Sequence, residues 1–137
     1  MDTLQPTDIK LHTKSATLEL VYADGSSHRL SAEFLRVYSP SAEVRGHGEG
    51  QEVLQPGKRQ VRLLNIEPMG NYAIKLSFDD GHETGIYSWP YLHQLGSEQE
   101  SLWAKYLDRL RAAGASRDEL PADTQVIKIK SSPTSSE

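Results

Sequence analysis

The stretch from Val61 to Leu95, VRLLNIEPMGNYAIKLSFDDGHETGIYSWPYLHQL, carries the signals that decide the fold. Apolar and polar residues alternate over Val61–Ile66 and again over Ala73–Phe78, as they do in strands that bury one face. Gly70-Asn71 supplies the connection between these two strands. Asp80-Gly81 then predicts a tight hairpin turn into a third strand, over residues 82–87.

The same signals occur near the start of the chain. Strands are predicted over Ile9–His12 and Thr17–Tyr22, because Leu18, Leu20 and Tyr22 share one face. Asp24-Gly25 is a second turn of the hairpin type, and it leads into a return strand over residues 27–30.

A short helix is predicted after each hairpin. Ser31 is placed to cap a helix over Ala32–Val37 that ends before Pro40. Ser88 is placed to cap another, with Pro90 in its first turn. The two hairpin–helix units therefore resemble an internal repeat whose copies close one core. Chance reuse of common hairpin residues is the alternative explanation.

One longer amphipathic helix is predicted over Ser97–Ala113, with Gly114 as its stop. Its apolar stripe consists of Leu102, Trp103, Tyr106, Leu107 and Leu110. We therefore expect an α+β fold: a small antiparallel sheet of about six strands, built from two similar hairpin–helix units, with one longer C-terminal amphipathic helix. Residues 9–114 form the predicted domain, residues 1–8 a flexible lead-in and residues 115–137 a disordered tail.

Composition excludes several classes of protein. The 137 residues are enough for one domain, and they include no cysteine, which removes disulfides, thiolate metal sites and cysteine nucleophiles. The net charge of −4, with both signs interspersed, offers no basic field for nucleic acid. No apolar run reaches the length of a membrane helix, and no secretory leader pattern occurs at the start. We expect a cytoplasmic protein with no nucleic-acid or membrane partner.

A long segment without periodic pattern, residues 39–60, contains the first candidate chemistry. His47-Gly48-Glu49 has the His-x-Glu spacing of a facial iron triad, which His82 or His93 would complete. Oxygenases of that type, however, resemble barrels of about eight strands. A two-histidine site from His47 and His82 with Glu43, Glu49 or Glu83 is a further possibility, and a hydrogen-bonded histidine at a strand edge is the simpler reading of His82.

Charged and aromatic residues give a second kind of candidate, a contact surface. Five cations surround the long segment and suit an acidic partner or a solvated rim: Arg36, Arg45, Lys58, Arg59 and Arg62. Trp89 stands at an element boundary, where it serves either as core or as an exposed anchor for another protein.

These residues carry a family resemblance. LRVYSPSAEVRGHGEGQ and IEPMGNYAIKLSFDDGHETGIYSWPYL resemble the gamma-butyrobetaine hydroxylase-like N-terminal domain, the DUF971 family, over residues 9–95. The resemblance implies a small α+β accessory domain that occurs alone in bacteria, the form expected here. In other relatives it precedes the catalytic barrel of carnitine-pathway dioxygenases, or is fused to a P-loop iron–sulfur carrier ATPase in plastids.

The resemblance also implies where a metal would bind. In the dioxygenases the domain resembles a zinc-binding unit with a C-x-C-x-x-C motif and a histidine after the Asp-Gly turn. The matching positions here are Ser39, Ser41, Val44 and His82. Because serine is a poor zinc ligand and valine is none, we expect no cofactor and no metal. His47 and His82 are the weak candidates that remain for zinc or iron. Packing of Tyr38 and hydrogen bonds from Ser39, Ser41 and His82 would then order the segment, unless a partner does so.

The sequence thus predicts a non-catalytic accessory or adaptor domain, linked to iron–sulfur cluster handling through a carrier ATPase. A metal-binding protein or small-molecule sensor using His47 and His82 is the alternative, and an iron-dependent oxygenase is the third hypothesis. No catalytic residue is assigned, and the oligomeric state stays open. The candidate partner or ligand surface comprises Arg36, Tyr38, Ser39, Ser41, Glu43, Arg45, His47, His82 and Trp89.

Overall fold

The described residues form two three-stranded antiparallel sheets, each followed by a helix. The computed structural model describes residues 4–46 and 52–118. In chain order the elements are β1 (Asp8–His12), β2 (Thr17–Val21), β3 (Ser27–Ser31), α1 (Ala32–Val37), α2 (Ala42–Arg45), β4 (Leu63–Met69), β5 (Ala73–Phe78), β6 (Gly85–Ser88), α3 (Trp89–Ser97) and α4 (Gln99–Ala112).

The α+β class, the six antiparallel strands and the longer C-terminal helix are confirmed. The strands divide into sheets β1-β2-β3 and β4-β5-β6, so each predicted hairpin unit carries a sheet of its own. Both units end in a serine-capped helix: Ser31 Oγ accepts from the Phe34 amide at 3.0 Å, and Ser88 Oγ from the Tyr91 amide at 3.3 Å. Each cap satisfies a backbone donor that a helix start leaves free.

The last strand of the second unit is shorter than predicted. It begins at Gly85 rather than at His82, because residues 82–84 follow the turn without pairing in the sheet. The Asp80 carboxylate accepts from the His82 amide at 3.1 Å, and the His82 carbonyl accepts from the Phe78 amide at 2.8 Å. An aspartate that bonds the amide two residues on closes a turn by itself. His82 is therefore held by the turn.

One core joins the two sheets. Leu18, Leu20 and Leu30 from the first sheet and Ile74 and Leu76 from the second belong to a single buried cluster. Helix α4 adds a smaller cluster in which Tyr106 and Leu110 pack with Val37 of α1. Apolar and polar residues alternate along the strands because each sheet turns one face towards this shared core.

Residues at both ends of the predicted domain make contacts with its core elements. Asp8 belongs to β1, and the preceding Thr7 amide donates to Val21 at 2.7 Å. Beyond α4, the Arg117 guanidinium donates to both carboxylate oxygens of buried Glu33, at 2.8 and 2.7 Å. Residues 115–118 belong to the predicted tail, and Arg117 in this segment supplies the counter-charge of Glu33. Residues 119–137 lie outside the described part.

Candidate functional site

Five of the candidate surface residues lie in residues 38–46, between α1 and the end of α2: Tyr38, Ser39, Ser41, Glu43 and Arg45. Pro40 follows α1, and Ser41 caps α2 by accepting from the Glu43 amide at 3.2 Å. Helix α2 was not predicted, since its four residues show no apolar period. We call residues 38–46 the corner.

A buried hydrogen bond fastens the corner to the β5–β6 turn. Ser39 Oγ lies 2.8 Å from His82 Nε2, and the Ser39 and His82 residues are only 0% and 6% exposed. On the other side of the ring, His82 Nδ1 lies 3.0 Å from the Glu43 carboxylate. A second bond runs in parallel, between Ser41 Oγ and Thr84 Oγ1 at 2.7 Å. The hydrogen bonds expected of Ser39, Ser41 and His82 are thus present.

The chemistry of the partners fixes the tautomer of His82. Burial lowers its pKa, and the Arg36 charge lowers it further, although Glu43 and Asp80 favour the protonated ring. The ring is therefore neutral at pH 7. Because the Glu43 carboxylate only accepts hydrogen bonds, Nδ1 carries the proton, and Nε2 accepts from the Ser39 hydroxyl.

The chain of hydrogen bonds from Ser39 through His82 to Glu43 has the same order as the catalytic triad of a serine hydrolase. In such a triad a carboxylate orients a histidine that activates a hydroxyl. Two observations argue against nucleophilic attack by Ser39 in this conformation. Ser39 is 0% exposed, so a substrate carbonyl has no approach to its Oγ. The same Oγ also accepts from the Ser41 amide at 3.2 Å. The relay geometry here orders the corner.

Two cations bind Asp80, the residue that begins the turn before His82. Arg36 Nε and Lys58 Nζ donate to the same Asp80 oxygen, at 2.8 and 2.6 Å. Burial raises the pKa of the Asp80 carboxyl, but hydrogen bonds from Lys58, the His82 amide and Arg36 outweigh burial and lower that pKa to about 2. Asp80 is therefore the anion that holds His82 and Arg36 in place.

The residues present do not fit the zinc ion that the resemblance implies. Of the four matching positions, His82 alone is a good zinc ligand, and both its ring nitrogens already have partners. Within residues 4–46 and 52–118, no group of three histidine, aspartate or glutamate side chains is arranged to hold a metal ion. His47, the other candidate ligand, lies outside the described residues.

The other predicted surface residues divide by exposure. Glu43 and Arg45 are exposed on α2, and Tyr38 is partly exposed. Arg36 is 8% exposed, and Trp89 is 6% exposed with its indole donating to the Asn71 carbonyl at 2.8 Å. Of the two interpretations of Trp89, core packing is the one that fits.

Sequence reasoning missed two members of the site, Asp80 and Thr84. Both flank His82 at a distance of two positions, but Asp80 was read only as a turn residue. A polar residue on each side of a histidine at this spacing was the available signal, because alternate residues in an extended segment point the same way.

Comparison with known proteins decides the family. The family model for "Gamma-butyrobetaine hydroxylase-like, N-terminal" matches residues 9–93. The chain belongs to this family. Among curated proteins, none matches the chain.

Solved structures of similar proteins agree with the family assignment. Two solution NMR structures share 52% and 51% identity with this chain, over 90% and 95% of it and 95% and 96% of the respective structures, with TM-scores of 0.72 and 0.74. A crystal structure from Acidithiobacillus ferrooxidans, of a DUF971 protein of unknown function, shares 37% identity. It covers 72% of this chain and 100% of its own, with a TM-score of 0.60.

None of the helices in the described part of the chain has the length and apolar character needed to cross a bilayer.

Proposed function

We propose that this protein is a non-catalytic adaptor that binds a P-loop iron–sulfur carrier ATPase through the corner. The observation that carries the proposal is the engagement of Ser39, His82 and Glu43 with one another. A corner built in this way offers a partner fixed shape and charge instead of a reactive group. The fusion of related domains to such an ATPase supports the choice of partner by analogy.

The contact surface consists of the exposed part of the corner. Arg45 and Glu43 place exposed charges of opposite sign on α2, and Tyr38 contributes a partly exposed ring. The other predicted surface residues within the described part are buried: Arg36, Ser39, Ser41, His82 and Trp89. Their burial makes them poor test positions, since replacing them disturbs the fold as well as the contact.

The test is a calorimetric titration of the whole chain with a purified carrier ATPase of this class, with and without its cluster. We expect a micromolar Kd, as for transient regulatory contacts, and Arg45→Glu should weaken it about tenfold or more. Arg111→Glu is the matched control, because Arg111 is a 74% exposed arginine on α4. Absence of binding at about 100 µM, or equal loss in both variants, would contradict the proposal.

The metal-binding alternative has less support, because His82 would first have to give up the bonds to Ser39 and Glu43. It predicts that a chelator lowers the melting temperature, since a metal bound only to the native state stabilises that state. The oxygenase hypothesis requires a barrel of about eight strands, whereas the six strands of the described residues form two small sheets.

A further inference from the structure

A pocket of about 310 Å³ lies where the four helices meet, on the side of the corner that faces α4. Every helix contributes to it: Val37 from α1, Arg45 from α2, Tyr91 from α3, and Leu102 and Lys105 from α4. This volume is at the lower end of the range for small-molecule sites. We call it the interhelix pocket.

Two hydrogen bonds connect the walls of the interhelix pocket and fix their positions. The Tyr91 hydroxyl donates to the Tyr38 carbonyl at 2.6 Å, and the Tyr38 hydroxyl donates to the Leu102 carbonyl at 2.7 Å. These two bonds join α1 to α3 and α4. Burial raises the pKa of both tyrosines, so neither adds negative charge at pH 7. The pocket is therefore formed before any ligand arrives, which reduces the entropy cost of binding.

The described lining carries a local excess of positive charge. The lining contains three cations, Arg45, Lys105 and Arg109, and one carboxylate, Glu52, so its net charge is +2. The whole chain, by contrast, has a net charge of −4. The Arg45 guanidinium carbon lies 5.7 Å from the centre of the Tyr91 ring, which keeps that cation at the pocket. Lys105 makes no ion pair with any residue of the described segments.

Apolar residues complete the pocket beside these cations. Val37, Val44 and Leu95 are buried, and Leu102 is partly buried. A purely inorganic anion would leave this apolar surface uncovered, and a neutral apolar ligand would leave the cations without a counter-charge. A ligand that matches both has an apolar body and one anionic end.

We propose that the interhelix pocket binds a small organic carboxylate, with its apolar body against Leu95 and Leu102 and its carboxylate at Lys105 and Arg45. Arginine and lysine are the side chains that bind carboxylates through charge-assisted hydrogen bonds. This site requires no metal and no ATPase.

The first test uses a matched pair of probes, 3-phenylpropionate and its neutral amide, 3-phenylpropanamide. Both are titrated into isotope-labelled whole chain while amide shifts are followed by NMR. We expect saturable shifts around Tyr38, Tyr91 and Leu102 with a Kd of about 1 mM for the carboxylate, as suits a fragment-sized probe. The amide should bind about tenfold more weakly, because it lacks the charge-assisted bonds.

The second test uses Lys105→Gln rather than a substitution of Arg45, because Arg45 also belongs to the proposed ATPase surface. A change at Lys105 tests carboxylate binding without testing ATPase binding. Lys105→Gln should weaken carboxylate binding about threefold and leave amide binding unchanged. Arg111→Gln, also on α4, is the control and should change neither. Native shift dispersion confirms that each variant is folded.

Three results would overturn the proposal: equal affinity for the acid and the amide, shifts that map away from the interhelix pocket, or no saturation by about 20 mM, well above the expected Kd. Binding of an acidic peptide without binding of the small acid would also overturn it, because the pocket would then be a peptide groove.

Discussion

Ser39 Oγ donates a 2.8 Å hydrogen bond to His82 Nε2 across 43 positions of sequence, and this bond joins the corner to the second hairpin. Its partners come from the two hairpin–helix units, since Ser39 follows α1 and His82 follows β5. A buried polar pair of this kind specifies one arrangement of the units, because any other arrangement leaves both groups unsatisfied.

Replacing Ser39 with alanine should destabilise the protein by about 1–3 kcal/mol, the cost of leaving a buried acceptor without a partner. The acceptor left alone is His82 Nε2. Urea unfolding of both proteins measures the difference. Ser27→Ala is the control, because Ser27 is exposed in β3, and it should stay within about 0.5 kcal/mol of the parent. A Ser39→Ala variant as stable as the parent would show that the bond contributes nothing.

Gly85→Ala should also destabilise the protein, by about 1–3 kcal/mol, because the site is already filled. A Cβ at Gly85 would lie 2.5 Å from Ser39 Oγ and 3.0 Å from a ring carbon of Tyr87. In the double variant Ser39→Ala/Gly85→Ala the first clash is relieved, so the two losses should sum to less than their separate values. Strict additivity in a double-mutant cycle would contradict this close approach.

Arg117→Ala should cost about 2 kcal/mol, because it leaves the buried Glu33 carboxylate without its counter-charge. The Arg117 guanidinium carbon also lies 5.0 Å from the Trp103 ring centre, so packing is lost as well. Thermal unfolding compares this variant with Arg111→Ala, whose Asp108 pair is exposed and should contribute under about 0.5 kcal/mol. Equal effects of the two substitutions would place residue 117 outside the folded domain.

Asp80 should make stability depend on pH in the acid range. Its carboxyl has an ordinary pKa of 3.8 and a native pKa of about 2, so the unfolded chain takes up the proton first as pH falls. The stabilisation is fully present above about pH 4 and is lost between pH 4 and pH 2. In urea unfolding at a series of pH values, the difference between the parent and Asp80→Asn should shrink across that window. A difference that stays constant would mean that Asp80 titrates normally.

The strands and helix caps could be predicted because each local sequence pattern reflects a single physical requirement, such as burying one face of a strand or capping a helix. Ile74, Leu76 and Phe78 alternate since β5 buries one face, and all three are at most 2% exposed. Ser31 and Ser88 were recognisable because a helix start needs an acceptor. The start of β6 was misplaced because the Asp80 side chain, rather than a ladder, satisfies the His82 amide.

The site was less predictable because its contacts are long-range. Pairing Ser39 with His82 came from the family resemblance, and residue types alone do not imply it. The sequence places Lys105 and Arg109 on the polar face of an amphipathic helix, and such a face is normally predicted to face solvent. Only the packing of α4 beside α1 and α3 brings these cations to the interhelix pocket.

Whether hydrogen bonds rather than a metal hold the corner is tested most directly by NMR. The ring nitrogens of His82 are followed while Zn²⁺ is added to chelator-treated protein at pH 7. Partly exposed His12, which pairs with Glu19, reports non-specific binding in the same spectra. We predict that His82 keeps its shifts and its neutral Nδ1–H tautomer at several equivalents of Zn²⁺. A saturable shift at His82 before any change at His12 would contradict the account, since zinc would then have displaced Ser39 or Glu43.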